Sequence, residues 1–353
     1  MKRGSAYTGE LPRGCALCEK GAKLVLLVTG RCARRCTYCP LSPAKKGRDV
    51  FFANEKSIKR ITEAIDEARV ITALGTGITG GDPLLAIDRT ARAIRALKRE
   101  FGDRHHIHLY TSIAELHRVR RVAKAGLDEI RFHPPIGVWK RLRKTAFTEA
   151  VSTAKGLDMT VGLELPVIPG RKDDLSAAIA FAFDEDMDFV NLNELEFSET
   201  NWRALKRQGL HVRDDVSSGV AGSEQLAMEL LRTCRTVPVH YCSSAFKDGV
   251  QLRNRMARRV KRVKKAYEIA TDDSTLVKGV IETDDPENVM FLLRKEYDVP
   301  NHLMWHDREK HRLELAAWVL EEIASYISLD SYIVEEYPTA DRLEVERRPI
   351  KRR

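Results

Sequence analysis

The chain has 353 residues, 43% hydrophobic and 31% charged, a balance that excludes a disordered or collagen-like polypeptide and leaves room for one large domain or two. Lys and Arg outnumber Asp and Glu by 60 to 51, and the formal charge of +9 suits nucleic acid, anionic substrates or simply a well-solvated surface. No run approaches the ~20 apolar residues of a membrane span, and the first fourteen residues lack an apolar signal segment, so a soluble, cytoplasmic protein with no membrane contact is expected.

Leu24–Thr29 (LVLLVT) is a continuous apolar run ending at Gly30, the pattern of a strand buried on both faces. Residues 55–69 place Ile58, Ile61, Ile65 and Ala68 on one helical face, and a strand over 70–74 then enters a glycine-rich turn. Asp88 is positioned to cap a helix carrying Ile94, Leu97 and Phe101. His106–Thr111 alternates like a strand, and Leu116, Val119 and Val122 mark a helix stopped at Gly126. Strands over 129–132, 159–167, 189–195 and 237–241 then alternate with helices near 148–154, 175–183 and 223–234. Repeats of this length require parallel strands with right-handed crossovers, hence an α/β fold, either a barrel or a doubly wound sheet.

Past residue 245 the pattern changes. It predicts a basic helix over 250–267, a strand over 275–282, a helix over 286–295 and a short strand over 303–305. A long amphipathic helix over 309–326 and strands over 331–336 and 343–348 complete a small α/β domain. The expected division is a CxxC segment (1–23), a barrel (24–245), a basic linking helix (246–270) and the small domain (271–353).

Seven cysteines, five of them between residues 15 and 39, do not form a disulfide framework and are read as metal or redox ligands. Cys32, Cys36 and Cys39 stand in C-x₃-C-x₂-C spacing directly after the first strand. Three thiolates on one loop can hold three irons of a cubane cluster and leave the fourth iron open; a zinc loop is the competing reading. After the second strand comes Gly80-Gly81-Asp82-Pro83, where glycines admit a ligand close to backbone and a carboxylate can meet an ammonium group.

These motifs resemble the radical S-adenosylmethionine superfamily, in which such a loop follows the first strand of a partial (βα)₆ TIM-type barrel. Tyr38 occupies the aromatic position before the last cysteine, and Gly80-Gly81-Asp82-Pro83 is similar to the turn that binds the methionine amino group. Asp82 departs from the commoner Glu there. The resemblance implies a [4Fe-4S] cluster on Cys32, Cys36 and Cys39, S-adenosylmethionine at the open iron, and a 5′-deoxyadenosyl radical that abstracts hydrogen from a substrate. It also implies a ferredoxin- or flavodoxin-type electron donor. GCALCEKGAKLVLLVTGRCARRCTYCPLS, ALGTGITGGDPLL and VHYCSSAFKDGVQLRNR resemble, more narrowly, a mainly archaeal group related to pyruvate formate-lyase activating enzymes.

Strand ends add candidates, because α/β barrels place chemistry at the C-terminal ends of their strands. Thr111 and Glu164 are expected cofactor contacts. His133 and Glu194 are expected substrate contacts, with Ser112, Arg131 and Asn193 beside them. The 166–170 segment resembles the backbone that lies against adenine. Cys15, Cys18, His240 and Cys242 together offer a Cys₃His set for zinc or a second iron–sulfur cluster. His105, His106 and His108 are read as mixed core and surface, and Cys234 as a core thiol. Eight basic residues between 249 and 265 make RNA contact a candidate, with a non-catalytic, metal-stabilised RNA-binding protein as the alternative to an enzyme. RNA and peptide modification lead as reactions.

Overall fold

The structure is a computed structural model and describes residues 4–234 and 237–350. The chain divides into two compact units, Met1–Asn254 and Arg255–Arg353.

Seven parallel strands build the first unit: β1 (Lys23–Leu27), β2 (Gly75–Thr79), β3 (His106–Thr111), β4 (Glu129–Phe132), β5 (Thr160–Val167), β6 (Phe189–Glu194) and β7 (Val239–Cys242). They lie side by side in chain order. With right-handed crossovers, that order puts every connecting helix on the same face, the logic of a TIM-type barrel. The barrel is partial: β1 and β7 do not pair with each other. Two-residue antiparallel strands cover both edges, Phe52–Ala53 on β1 and Ala6–Tyr7 on β7. The family resemblance implies six strands; the seventh, β7, is the strand expected over 237–241.

Registers and alternation show two unlike faces. Leu24, Leu26, Ile78, Ile107, Leu109, Ile130, Leu163 and Leu192 point to the helices and form the core. The other face carries Lys23, His106, His108, Glu129, Arg131, Glu164, Asn191, His240 and Cys242, nearly all in one another's register, and this is the barrel lumen. The lumen is polar, so LVLLVT is not a strand buried symmetrically among apolar groups. The predicted second strand is shifted as well. It is Gly75–Thr79, not 70–74, because the bare Gly77 leaves room for the His108 ring, 2.7 Å from where a Cβ would sit.

Helix α1 (Arg13–Glu19) closes the lumen floor, and the sequence gives no periodic signal for so short a helix. Its Gly14 amide donates to Glu129 Oε2 at 3.3 Å. A Cβ on Gly14 would overlap His108 Nδ1 and fall 2.6 Å from Arg131 Nη2, so only glycine brings the backbone this close. Helices α2 (Ile61–Val70), α3 (Ile87–Phe101), α4 (Leu116–Ala123), α5 (Ala146–Lys155), α6 (Lys172–Asp184), α7 (Trp202–Arg207) and α8 (Ser223–Thr233) follow. Asp88 sits in the first turn of α3 rather than capping it, where its charge still favours the helix N-terminus.

The basic segment is a π-turn over Lys247–Leu252 leading into α9 (Arg253–Val263). The second unit is an antiparallel sheet of β8 (Leu276–Glu282), β9 (Met304–Asp307), β10 (Arg312–Leu315), β11 (Ser331–Glu336) and β12 (Glu344–Pro349), in order β9-β10-β8-β11-β12. Helices α10 (Pro286–Tyr297) and α11 (Ala317–Ile323) pack on it. The expected long helix over 309–326 is therefore a strand followed by a short helix. Arg312 and Glu314 look like a solvated helix face, but they are buried and paired with Lys278, Glu336 and Glu344 across the sheet. Burial of charge on a strand defeats a periodicity reading that assumes charges face water.

Candidate active site

The loop after β1 and the turn after β2 are locked together at the C-terminal mouth of the barrel. The Gly81 amide donates to Thr29 O at 2.7 Å, and the Asp82 amide to Arg31 O at 2.8 Å. A Cβ on Gly80 or Gly81 would overlap those same carbonyl oxygens, so the glycines serve backbone-to-backbone contact. On its other side the loop is held by side chains. Asn201 Nδ2 donates to Tyr38 O at 3.1 Å, Thr200 Oγ1 to Cys39 O at 3.1 Å, and Arg34 Nη2 to Ser112 O at 3.2 Å.

Cys32, Cys36 and Cys39 are free thiols lining one cavity of about 540 Å³, together with Gly80, Gly81, Thr111, His133, Glu164 and Glu194. That volume lies in the range of small-molecule sites. Ligands of a single ion crowd within a few ångströms of one another. Among the described residues, the three sulfurs form no group with all ligand atoms within 4.8 Å.

Tyr38 is buried, and its hydroxyl lies 2.8 Å from His133 Nε2, while His133 Nδ1 lies 2.7 Å from Glu164 O. Burial lowers the His133 pKa, so its ring is neutral. Glu164 accepts from Asn191 at 2.7 Å, Asn193 at 2.5 Å and Arg131 at 3.2 Å. Glu194 accepts from Arg213 at 2.9 Å and from the Ser244 amide at 2.7 Å. Of the 166–170 segment, Pro166 lines the cavity.

Asp82 differs from its expected role as an ammonium acceptor. Its carboxylate is 1% exposed and lies behind the cavity wall. It accepts from Leu84 N at 3.1 Å, Thr111 Oγ1 at 2.8 Å, Ser112 N at 2.8 Å and Ser112 Oγ at 2.7 Å. Four protein donors saturate the two oxygens, so the side chain ties the β2 turn to the end of β3, and the backbone of Gly80 and Gly81 is what faces the cavity. Asp82→Ala should accordingly lower stability by about 1–3 kcal/mol, since buried donors are left unsatisfied. It should also weaken S-adenosylmethionine binding indirectly. Urea unfolding beside a ligand titration separates the two; unchanged stability would contradict this assignment.

Below the cavity the lumen is a paired charge network. Glu129 is 2.5 Å from Arg131, and burial, which would raise its pKa, is outweighed by Arg131, His106 and His108. Lys23 contacts His108, and burial pulls its pKa down to about 8. His106, His108 and Glu129 have ligand atoms within 4.8 Å of one another. Lys23 contacts His108 and Arg131 pairs with Glu129, while His106 Nδ1 is buried without a hydrogen-bond partner among the described residues. All three of His105, His106 and His108 are buried, contrary to the mixed reading.

Cys15, Cys18, His240 and Cys242 reach the same region, though among the described residues their ligand atoms do not all lie within 4.8 Å of one another. Asn191 stands between the first and third of them, its Oδ1 3.9 Å from Cys15 Sγ and 2.5 Å from His240 Nδ1. Arg131 donates to Cys15 Sγ at 3.3 Å, and Gln251 to Cys242 Sγ at 3.5 Å. Burial pushes both thiols up to about 12. Cys234 ends α8 half-buried, packed on the edge of the core.

The basic segment does not present a uniform positive face. Arg259 is buried and donates to Pro338 O, and Lys265 lies 4.8 Å from the Trp305 ring centre and 3.9 Å from Glu314. Lys261, Arg262 and Lys264 are exposed. Tyr110, Glu196 and Lys247 line the cavity unforeseen. Tyr110 was legible as the inward neighbour of His108; the Glu196–Lys247 ion pair joins distant segments and leaves no local signal.

Residues 26–181 match the Radical SAM superfamily, and residues 274–350 match a domain of unknown function, DUF8061. A Methanocaldococcus jannaschii protein described as a "putative glycyl-radical enzyme activating enzyme" is 39% identical, covering 97% of this chain and 93% of its own length. Similar solved structures include Streptococcus suis SuiB bound to S-adenosylmethionine, at TM-score 0.43 and 11% identity over 63% of this chain and 50% of that one. Methylornithine synthase (PylB) matches at TM-score 0.42 and 13% identity, over 65% and 70% of the two chains. The chain spans about half the length of SuiB. No described helix is long and apolar enough to cross a membrane. With a full-length relative at 39% identity and the superfamily match over 26–181, the chain belongs to the radical SAM superfamily.

Proposed function

We propose that the protein abstracts hydrogen from a polypeptide, using a [4Fe-4S] cluster on Cys32, Cys36 and Cys39 with S-adenosylmethionine beside it. The observation that carries this reading is that the three thiols and the Gly80-Gly81 backbone share one cavity at the C-terminal mouth of the barrel. When bound, the reduced cluster supplies the electron that splits the sulfonium into methionine and the 5′-deoxyadenosyl radical. The protein's part is to hold and shield. Gly80 and Gly81 leave backbone open to the methionine end, Thr111 and Pro166 wall the cavity, and Glu164 is kept in place by Arg131, Asn191 and Asn193. A ferredoxin- or flavodoxin-type protein would deliver the electron at the exposed Cys32 side.

A polypeptide substrate is favoured because the full-length relative is described as a glycyl-radical enzyme activating enzyme, and because Arg259 and Lys265 of the basic segment are engaged internally. Anaerobically reconstituted protein with S-adenosylmethionine and dithionite should release 5′-deoxyadenosine. A host-cell extract should raise the yield several-fold, and protease treatment of the extract should remove the rise. Sensitivity to ribonuclease alone would overturn the polypeptide reading, and no 5′-deoxyadenosine under any condition would overturn the whole.

A further inference from the structure

β9 is the outermost strand of the second unit's sheet and, among the described strands, pairs with β10 alone. The Ala316 amide donates to Leu303 O at 3.0 Å, which fixes the phase of the antiparallel ladder. Trp305 and Asp307 therefore turn their backbone groups to β10, and Met304 and His306 turn theirs outward. The Met304 amide is taken by Asn301 O, which leaves Met304 C=O, His306 N–H and His306 C=O. Among the described residues nothing hydrogen-bonds to these three groups. The opposite edge is treated differently. β12 reads EVERRP, and charge with a terminal proline guards an edge against an added strand. The one carboxylate of β9 gives no such guard, because Asp307 accepts from the Glu309 and Lys310 amides at 3.0 and 3.2 Å.

Beside this open edge runs a groove of about 830 Å³. One wall is β9 with the turn after it; the other is Glu287, Met290 and Arg294, at i, i+3 and i+7 on one face of α10. Met304 is buried and Met290 packs on the same core, which makes the floor apolar and adaptable. On the sheet's other face Trp305 is 52% exposed, with Lys265 4.8 Å from its ring centre.

We infer that an extended segment of the polypeptide substrate docks along β9 as an added strand. An extended backbone is what meets a C=O, N–H, C=O row at this spacing. Its side chains then alternate, one row entering the groove and the other lying beside Trp305. The four residues of β9 span about 13 Å, so the paired stretch is short. The β12 edge of a second copy is a poor occupant, since it would bring Glu346, Arg347 and Arg348 to a methionine floor. The inference rests on the polypeptide reading above and names where that substrate is held.

The probe is a phage-displayed library of random dodecapeptides selected on the full chain, with the recovered peptides then synthesised. His306→Pro should weaken their binding about tenfold, because it removes the outward N–H. The ladder to β10 does not use that N–H, so the sheet keeps its pairing. Met290→Glu should weaken binding similarly by charging the floor. Urea unfolding and iron per chain are measured for each variant. N-methylation of alternate peptide amides tests the pairing with the protein unaltered: one register should lose binding and the other keep it. In the extract assay, His306→Pro should cut the protein-dependent rise in 5′-deoxyadenosine several-fold.

Peptides that bind His306→Pro as tightly as wild type, or that tolerate methylation in both registers, would overturn the inference. So would an empty selection, an undiminished rise with His306→Pro, or pairing of two copies that His306→Pro abolishes. A wild-type rise removed by ribonuclease and not by protease would instead refute the polypeptide reading itself, which keeps the two failures apart.

Discussion

Replacing Cys32, Cys36 or Cys39 singly by alanine should reduce iron from about four per chain to below about one and abolish 5′-deoxyadenosine formation, because a cubane held at three corners loses its hold with any one of them. The fold should survive. Cys32 is exposed, Cys36 and Cys39 are half-buried, and the loop is fixed by the Gly81 and Asp82 amides donating to Thr29 and Arg31 and by the Asn201 side chain donating to Tyr38 O rather than by the thiols. Cys234→Ala, at the edge of the core, is the matched control and should change neither iron nor product. Cys15→Ser and Cys18→Ser should likewise leave the cluster in place. A single-cysteine variant of the loop that still makes 5′-deoxyadenosine at the wild-type yield would refute the assignment.

The second large effect concerns stability. Arg131 is 1% exposed, and its guanidinium joins Glu129, Glu164 and the sulfur of Cys15 in one network. Burial disfavours its charge, but the carboxylates of Glu129 and Glu164 hold its pKa well above the usual range. Arg131→Met removes the cation and leaves two carboxylates in the lumen without it. Breaking a buried ion pair costs about 3–5 kcal/mol, a large share of the ~5–15 kcal/mol that holds a domain folded. Urea unfolding should show that loss. Adding Glu129→Gln should recover part of it, since one orphaned charge is then gone. A cost under about 1 kcal/mol would mean that Lys23 and the lumen histidines neutralise the carboxylates unaided.

The alternation of strand and helix from residue 24 to 242 was legible because each crossover helix has an apolar stripe and each strand an apolar outward row. The cluster loop was legible because three cysteines on eight residues, just past a strand, have few other uses. What escaped was everything that depends on the lumen. HIHLYT, EIRF and VNLNE each alternate, and their polar partners meet only after the strands curve round; no local window tells a wet lumen from water. Asp82 was assigned a ligand because a carboxylate on a turn usually faces outward. The four donors Thr111, Ser112 N, Ser112 Oγ and Leu84 N that turn it inward come partly from the neighbouring strand. The surroundings of the second cysteine set were illegible for the same reason, as Asn191 and Arg131, which bond to Cys15, and Asn191, which bonds to His240, arrive from elsewhere in the chain.

The strap Ala6–Tyr7 pairs with Tyr241 and His240, and Thr8 bonds to Val239 across 231 residues. Contacts of such long range form late, because the intervening chain must be placed first. During synthesis, residues 6–8 emerge before any of the seven strands and meet their partners only once the last strand has been made. Helix α1 follows that strap directly, so the barrel stays without its anchored floor while β1, β2 and the cysteine loop between them are already out. The edge of the barrel at β7 therefore stays uncovered until the last of the seven strands has been made, long after the cysteine loop between β1 and β2 is out.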